Sequence, residues 1–384
     1  MRRQPHGGFQ IADAFEAIEA VSETTPSEGC LVVVEGTVRN DRLESVRVLE
    51  QHNPLSTSFH ESARLLDRGV GRSLRRRATV LRSMRAWFEE RGFVEVETPQ
   101  RVPSPGLDLH LDAIAADGAY LITSPEYQMK RLLVGGMPRI FQFTHCFRAD
   151  ERGPLHNSEF LMIEWYRAFS GIDDVIADTE ALIAHVAMTA TGSQSLHWRG
   201  RTVSVMPPFQ RISVLEAFER WAHLDRDSVL SMAASDEDTY FRLLVEKVEP
   251  ALAALPHAVV LHGFPSVHAS LARCCPKDPM VCERFEVYAG GVELCNGFGE
   301  LTDAREQRMR LVRDSADRRE HGKEDYPIDE RFLAAMEEGM PPSGGNALGV
   351  DRLIAMCLGV ASIGHSMAFP DDWLNHDTRD RAGV

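Results

Sequence analysis

The chain has 384 residues, 43% hydrophobic and 26% charged, which is enough apolar material for one large domain or two. Its 57 Asp+Glu outnumber 42 Lys+Arg for a net charge of -15, the wrong sign for a protein that tracks nucleic-acid phosphates over a broad surface. No stretch reaches the roughly 18 apolar residues that span a bilayer, no apolar segment of a secretory leader follows Met1-Arg2-Arg3, and seven cysteines without a C-x-x-C pair fit a reducing cytoplasm better than a disulfide or zinc framework.

Residues 1–72 read as an N-terminal appendage of uncertain fold. Ile11 to Val21 suggests a short helix, Leu31 to Val38 a strand with Glu44 to Leu49 as its partner, and Gln51 to Ser58 a polar linker. From Ser73 the pattern sharpens. Val80, Leu81, Met84, Trp87 and Phe88 form one helical face, suited to a core or to a dimer interface. Arg75, Arg76, Arg77, Arg82, Arg85 and Arg91 decorate the rest, as a solvated basic face or a nucleic-acid contact. Gly92 ends that helix, and Phe93 to Pro99 alternates like a strand. Ser124-Pro125-Glu126 combines an N-cap, a first-turn proline and a first-turn acid, which predicts a helix to about Val134, stopped by Gly135-Gly136.

Ile140 to Arg148 and Ser158 to Phe169 are strand candidates joined by a long polar loop, a type of connection that often carries function. Asp173 to Leu255 reads as mostly helical, and Ala258 to His262 as a strand. Arg284 to Gly299 is a second hairpin turning near Ala289-Gly290-Gly291, and Asp303 with Glu306 begins a helix from Ala304 to about Arg319. Gly344 to Gly349 leads into an apolar helix, Asp351 to Leu358. Hairpins without regular strand–helix–strand alternation predict an α+β fold: an antiparallel sheet flanked by helices.

On the first hairpin Phe160, Met162, Glu164 and Tyr166 share one face, and Arg148 lies on the face of Gln142 and Thr144. An aromatic, an acid and a phenol there suit a stacked base and an amine ligand. Arg148 beside a loop holding His156 suits a phosphate, or else a structural ion pair with Glu164 or Glu159. Folding the second hairpin at residues 289–290 sets Glu286 opposite Glu293, a repulsion that a divalent cation with substrate phosphates removes; a turn one residue away instead sends the acids to opposite faces. Asn296, Phe298 and Glu300 share a face that Glu293 joins only if a bulge near Gly297 breaks the alternation. Gly345-x-x-x-Gly349-x-Asp351-Arg352 is either a phosphate-binding entry to a helix or a tight turn with a surface arginine.

Gly92…Pro99, then Phe147-Arg148-x-Asp150…His156-Asn157-x-Glu159-Phe160, then Gly349-x-Asp351-Arg352 resemble motifs 1, 2 and 3 of class II aminoacyl-tRNA synthetases. Thr123-Ser124-Pro125-Glu126, Glu164-Trp165-Tyr166 and Glu293-Leu294-x-Asn296-Gly297-Phe298-x-Glu300 are similar to the lysine pocket of the lysyl branch. Met129 to Leu133, Arg284 to Tyr288 and Thr302 to Gln307 resemble its truncated subfamily, the ligases of (R)-β-lysine to elongation factor P. The resemblance covers roughly residues 73–370 and places a class II catalytic domain at 73–384.

It implies activation of lysine or (R)-β-lysine by ATP and Mg²⁺ as an aminoacyl-adenylate. Arg148 would bind the α-phosphate and the substrate carboxylate, and Phe160 would stack on adenine. His156 and Arg352 would hold the outer phosphates, with Asn157, Leu294 and Gly349 lining the nucleotide site. Glu286 and Glu293 would carry Mg²⁺. Glu126 would receive the amine nearer the carboxylate, Glu300 with Tyr166 the side-chain ammonium, and Asn296 the carboxylate, with Ser124, Pro125, Glu164 and Phe298 in the same pocket. Two departures stand out: Asp150 replaces the usual motif 2 glutamate, and Ala347 replaces a glycine, a change that would favour an amine one carbon further along. Residues 1–72 offer two or three strands, too few for a complete anticodon-binding OB domain. The implied acceptor is a lysine ε-amine of elongation factor P. A shortened lysyl-tRNA synthetase charging tRNA is the alternative, and a non-catalytic paralogue the minor one. Motif 1 implies a homodimer.

Overall fold

Strand pairing organises most of this chain. A computed structural model describes residues 2–3, 8–22, 25–27, 29–54 and 63–375, and the chain divides into two units, Met1–Thr79 with His365–Val384, and Val80–Gly364.

The first unit holds a five-stranded sheet of Arg2–Arg3, Gly8–Ala12, Ala17–Val21, Cys30–Arg39 and Arg42–Pro54. The strands are ordered first, second, third, fifth, fourth, and the third and fifth run parallel. The helix expected over Ile11 to Val21 is instead a hairpin. Asp13 Oδ1 accepts from the amides of Phe15 and Glu16 at 2.7 and 2.8 Å, a local turn that competes with helical bonding. Pairing then buries Phe9 and Ala20 against Val46. Of the expected linker, residues 51–54 belong to the last strand and 55–58 lie outside the described residues. The five strands exceed the two or three expected.

The second unit is built on an eight-stranded sheet in the order Gln210–Ser213, Val259–His262, Arg284–Ala289, Val292–Gly299, Ser343–Gly349, Glu159–Ala168, Arg139–Phe147, Val94–Glu95. Only the two edge strands pair in parallel; everything between is antiparallel. The helices Ile172–Thr191 and Val350–Leu358 pack together against the central strands, while Glu126–Val134, Ala304–Glu320 and Glu330–Gly339 form a second group. This is the expected α+β arrangement.

The helix Val70–Glu89 settles its own ambiguity. Val80, Met84, Trp87 and Phe88 are buried within the chain, and Phe88 stacks on Phe141 at 4.7 Å, so the stripe is core and not a free interface. Arg85 pairs with Glu95 and covers Phe143, and Arg91 covers Trp87, which gives part of the basic face structural work.

Between Asp173 and Leu255 the helical expectation is interrupted by a hairpin, Ser195–Trp198 with Arg201–Ser204. Its turn, Arg199-Gly200, takes left-handed φ at both positions (48° and 78°). The geometry is common in two-residue hairpins, but without Asn or Asp it leaves little signal.

Gly344 to Gly349 is not a tight turn but part of a central strand, Ser343–Gly349. Its glycines admit neighbours on both faces. A Cβ on Gly344 would come within 2.6 Å of Val175, and one on Gly345 would strike the Tyr166 ring and come within 2.6 Å of Glu300 Oε1. Gly345→Ala is therefore expected to lower stability by about 1–3 kcal/mol through overpacking, measurable by urea unfolding.

Candidate active site

Cross-strand register assembles the site. Gln142, Glu164, Ala347, Asn296 and Glu286 are direct partners in one row across five strands, and Ile140, Tyr166, Gly345, Phe298 and Arg284 form a second row. Above this surface lies a cavity of about 360 Å³. Its wall includes Ser124, Glu126, Arg148, His156, Asn157, Phe160, Glu286, Glu293, Leu294, Asn296, Phe298, Ala347, Gly349 and Arg352. Pro125, Asp150, Glu164, Tyr166 and Glu300 are not on that wall. Asp150 is exposed, with φ of 60°, in the loop between the hairpin strands.

Two guanidinium groups reach one end. Arg148 follows the strand Arg139–Phe147, where its amide donates to Ser158 O at 2.9 Å. Its guanidinium lies 5.0 Å over Phe160, with Glu151 as ion-pair partner at 3.7 Å in place of the alternative Glu164 or Glu159. Arg148 Nε is buried without a hydrogen-bond partner among the described residues. From the far side comes Arg352, in the first turn of Val350–Leu358. It donates to Leu155 O at 3.2 Å and Glu293 O at 2.9 Å, and meets His156 Nε2 at 2.8 Å. Asp351 anchors that turn by accepting from the Leu161 amide at 2.7 Å. Burial, aided by Arg352, lowers the His156 pKa and keeps the ring neutral at pH 7.

The second hairpin corrects the sequence register. It turns at Gly290-Gly291, so Glu286 faces Asn296 and Glu293 faces Tyr288. A bulge at Leu294, not near Gly297, restores Glu293 to the face of Glu286 and Asn296. Gly297 stays in regular register opposite Phe285, whose ring occupies the space a Cβ would need. The two acids therefore share a face without being directly opposed. Glu286 accepts from Arg284 Nη2 at 2.7 Å and Tyr288 OH at 2.9 Å, while Glu293 lies 3.4 Å from Arg352 Nη1. Among the described residues no cluster of three or more His, Cys, Asp or Glu stands ready to hold a metal alone. Two carboxylates on the same cavity wall as Arg148 and Arg352 nevertheless fit a hard cation that takes its remaining ligands from phosphate and water.

The other end is acidic. Lys130, only 1% exposed, bridges Glu126 at 2.5 Å and Glu300 at 2.6 Å. Glu164 accepts from Ser124 Oγ at 2.8 Å and Tyr166 OH at 2.5 Å. Burial raises the pKa values of Glu164 and Glu300, the first further raised by Glu126 and the second held back by Lys130. Asn296 Oδ1 accepts from Arg284 Nε at 3.2 Å, which turns its amide NH₂ away from that guanidinium.

Several residues on the wall, and Lys130 beside it, escaped the sequence reading. Lys130 follows Glu126 by one helical turn and Arg284 precedes Glu286 by one strand repeat, so a local signal existed for both. Asp108, His110 and Asp314 reach the same wall from distant segments and left none. Burial pushes the Asp314 carboxyl up to about 7, with Asp108 adding to the shift. Because the folded state holds this proton more tightly than the unfolded chain does, stability falls as pH rises from about 4 through 7. Asp314→Asn is thus expected to stabilise the protein by about 1–3 kcal/mol at pH 8 and by little at pH 4, read from urea unfolding at both values.

A largely antiparallel sheet carrying a cavity with both arginines and carboxylates on its wall is the arrangement expected of a class II synthetase catalytic domain. The family of tRNA synthetases class II (D, K and N) matches residues 60–373. An elongation factor P–(R)-β-lysine ligase of Proteus mirabilis is 41% identical over 312 residues, covering 78% of this chain and 94% of that protein. Those of Klebsiella pneumoniae (strain 342) and Edwardsiella ictaluri are 38% and 40% identical over 329 and 314 residues, each covering 78% of this chain and 95% of the relative. The chain belongs to the class II tRNA synthetase family and, within it, to the family of the elongation factor P–(R)-β-lysine ligases.

Proposed function

We propose that this protein is an ATP-dependent ligase that activates (R)-β-lysine or lysine as an aminoacyl-adenylate and transfers it to a lysine ε-amine of elongation factor P. The supporting observation is the convergence of Arg148 and Arg352 on one cavity whose wall also carries Glu126, the acid that Lys130 bridges to the buried Glu300. The substrate carboxylate attacks the α-phosphorus of ATP and pyrophosphate leaves. The acceptor amine then attacks the activated carbonyl, AMP leaves, and the amine proton passes to solvent. Catalysis consists of positioning and charge stabilisation.

Arg148 takes the α-phosphate and the substrate carboxylate, with Phe160 under the adenine. Arg352 and neutral His156 hold the outer phosphates, while Asn157, Leu294 and Gly349 line the nucleotide site. Asp150 is exposed and not on the cavity wall, and Glu151 is the carboxylate beside Arg148. Glu286 and Glu293 hold Mg²⁺, which supplies neutralisation of the phosphate charge. Glu126 and Glu300 receive the two amines, Asn296 assists at the carboxylate, and Ser124 and Tyr166 hold the neighbouring Glu164 by hydrogen bonds. Pro125, Phe298 and Ala347 shape the pocket. The catalytic part lies in the second unit, with the first as an appendage, and the working form is a cytoplasmic homodimer. Among the described residues no helix is long and apolar enough to cross a membrane.

Charging of tRNA is the second reading. The five-stranded sheet of the first unit removes the strand-count argument against it, while the net charge of -15 still disfavours it. ATP–pyrophosphate exchange across a panel of amino acids tests the activation step. Offering labelled adenylate both acceptors decides between protein and tRNA: label on elongation factor P supports the proposal, and label on tRNA alone overturns it. Sedimentation tests the dimer.

A further inference from the structure

We infer that Lys130 is a positioning residue that sets the distance between the two amine sites and so selects the spacing of amines in the substrate. The inference rests on the functional reading above. Its starting point is geometric. One ammonium lies 2.5 Å from Glu126 Oε1 and 2.6 Å from Glu300 Oε2, so these oxygens cannot stand farther apart than the two contacts laid end to end. Without the lysine, two largely buried carboxylates at that separation repel, and they either move apart or share a proton. With it they are drawn together, each with one oxygen committed to Lys130.

The second oxygen of Glu300 is the one not paired with Lys130. Oε1 is buried with no hydrogen-bond partner among the described residues, and it lies against Gly345, where a Cβ would come within 2.6 Å. Lys130 itself is fixed from behind, because it belongs to the helix Glu126–Val134, one turn after Glu126, with Met129 and Leu133 buried beside it. Its ammonium is thus tied to the same rigid element as one acid and to the chain-distant second acid. The bridge sets a short span between the two amine sites.

A short span discriminates between isomers. In (R)-β-lysine the amine nearer the carboxylate sits one carbon closer to the side-chain amine than it does in α-lysine. A pocket whose two acids are clamped together favours the shorter diamine, and releasing the clamp removes that preference. Lys130 therefore acts on the choice between isomers more than on the strength of amine binding.

The experiment compares kcat/KM for (R)-β-lysine and α-lysine in ATP–pyrophosphate exchange, using the full chain and its Lys130→Met and Lys130→Arg variants, with thermal unfolding as a check on folding. The expected result is a shift of about tenfold in the ratio toward α-lysine for Lys130→Met, comparable with the discrimination one methylene supplies. Lys130→Arg, which keeps the charge but holds the acids through a wider fork, is expected to shift the ratio in the same direction. Equal losses for both isomers, or an unchanged ratio, overturn the inference and leave Lys130 as a stabilising ion pair. If Lys130→Met does not fold, the ratio in Lys130→Arg decides. Failure of the unmodified chain to exchange with either isomer refutes the functional reading itself, a result distinct from an unchanged ratio.

Discussion

Arg148→Met is expected to slow ATP–pyrophosphate exchange by about 10²–10³-fold, the cost of removing one preorganised donor from developing negative charge. The size follows from how little else the side chain does. Its closest carboxylate is Glu151 at 3.7 Å, it covers Phe160 at 5.0 Å, and its Nε is buried without a partner among the described residues. A buried unsatisfied guanidinium donor is costly in the free protein and finds its complement when a phosphate or carboxylate arrives. The same economy predicts a nearly unchanged thermal midpoint, since methionine retains most of the contact with Phe160. A variant that exchanges at the normal rate would place the reacting phosphate elsewhere. One that unfolds would show that the arginine holds the hairpin together.

Glu300→Gln is expected to impair activation of lysine-type substrates by about 2–4 kcal/mol in kcat/KM, the penalty for breaking a buried charge pair. Glu300 is 1% exposed and carries two partners in this reading, Lys130 directly and the substrate ammonium at its second oxygen. Glutamine keeps the shape but loses the charge that both cations need. Lys130 would retain Glu126, so folding should survive with a modest loss. Exchange assays on the variant with lysine and with a neutral amino acid of similar length separate the outcomes. A selective loss for the diamine supports the role, and an equal loss for both points to collapse of the pocket.

Much of the site could be read from local pattern. Alternation along a strand places Phe160, Glu164 and Tyr166 together without knowledge of any neighbour, and the capping chemistry of Ser124-Pro125-Glu126 starts a helix wherever it occurs. In the structure the helix starts at Glu126 with Pro125 at its N-cap, one residue later than expected, and Ser124 Oγ just before it accepts from the Glu126 amide at 3.1 Å and donates to Glu164. The misread segments share a cause. Ile11 to Val21 is apolar enough for either state, and pairing with neighbouring strands decided it. Gly344 to Gly349 looks like a turn because glycine usually marks one, yet these glycines are needed where Val175, Tyr166 and Glu300 press on a central strand.

The identities of the chemical groups, their faces and the order of the motifs follow from the chain alone, because backbone torsions and side-chain parity act between close neighbours. Which cation neutralises which acid is a property of the folded molecule. Lys130 meets Glu300, Arg352 meets His156, and Glu293 rejoins Glu286 only through a one-residue bulge at Leu294. Such pairings depend on sheet order and burial. Charges taken out of water interact strongly only with the partners that long-range packing sets beside them, and no local spacing encodes that choice.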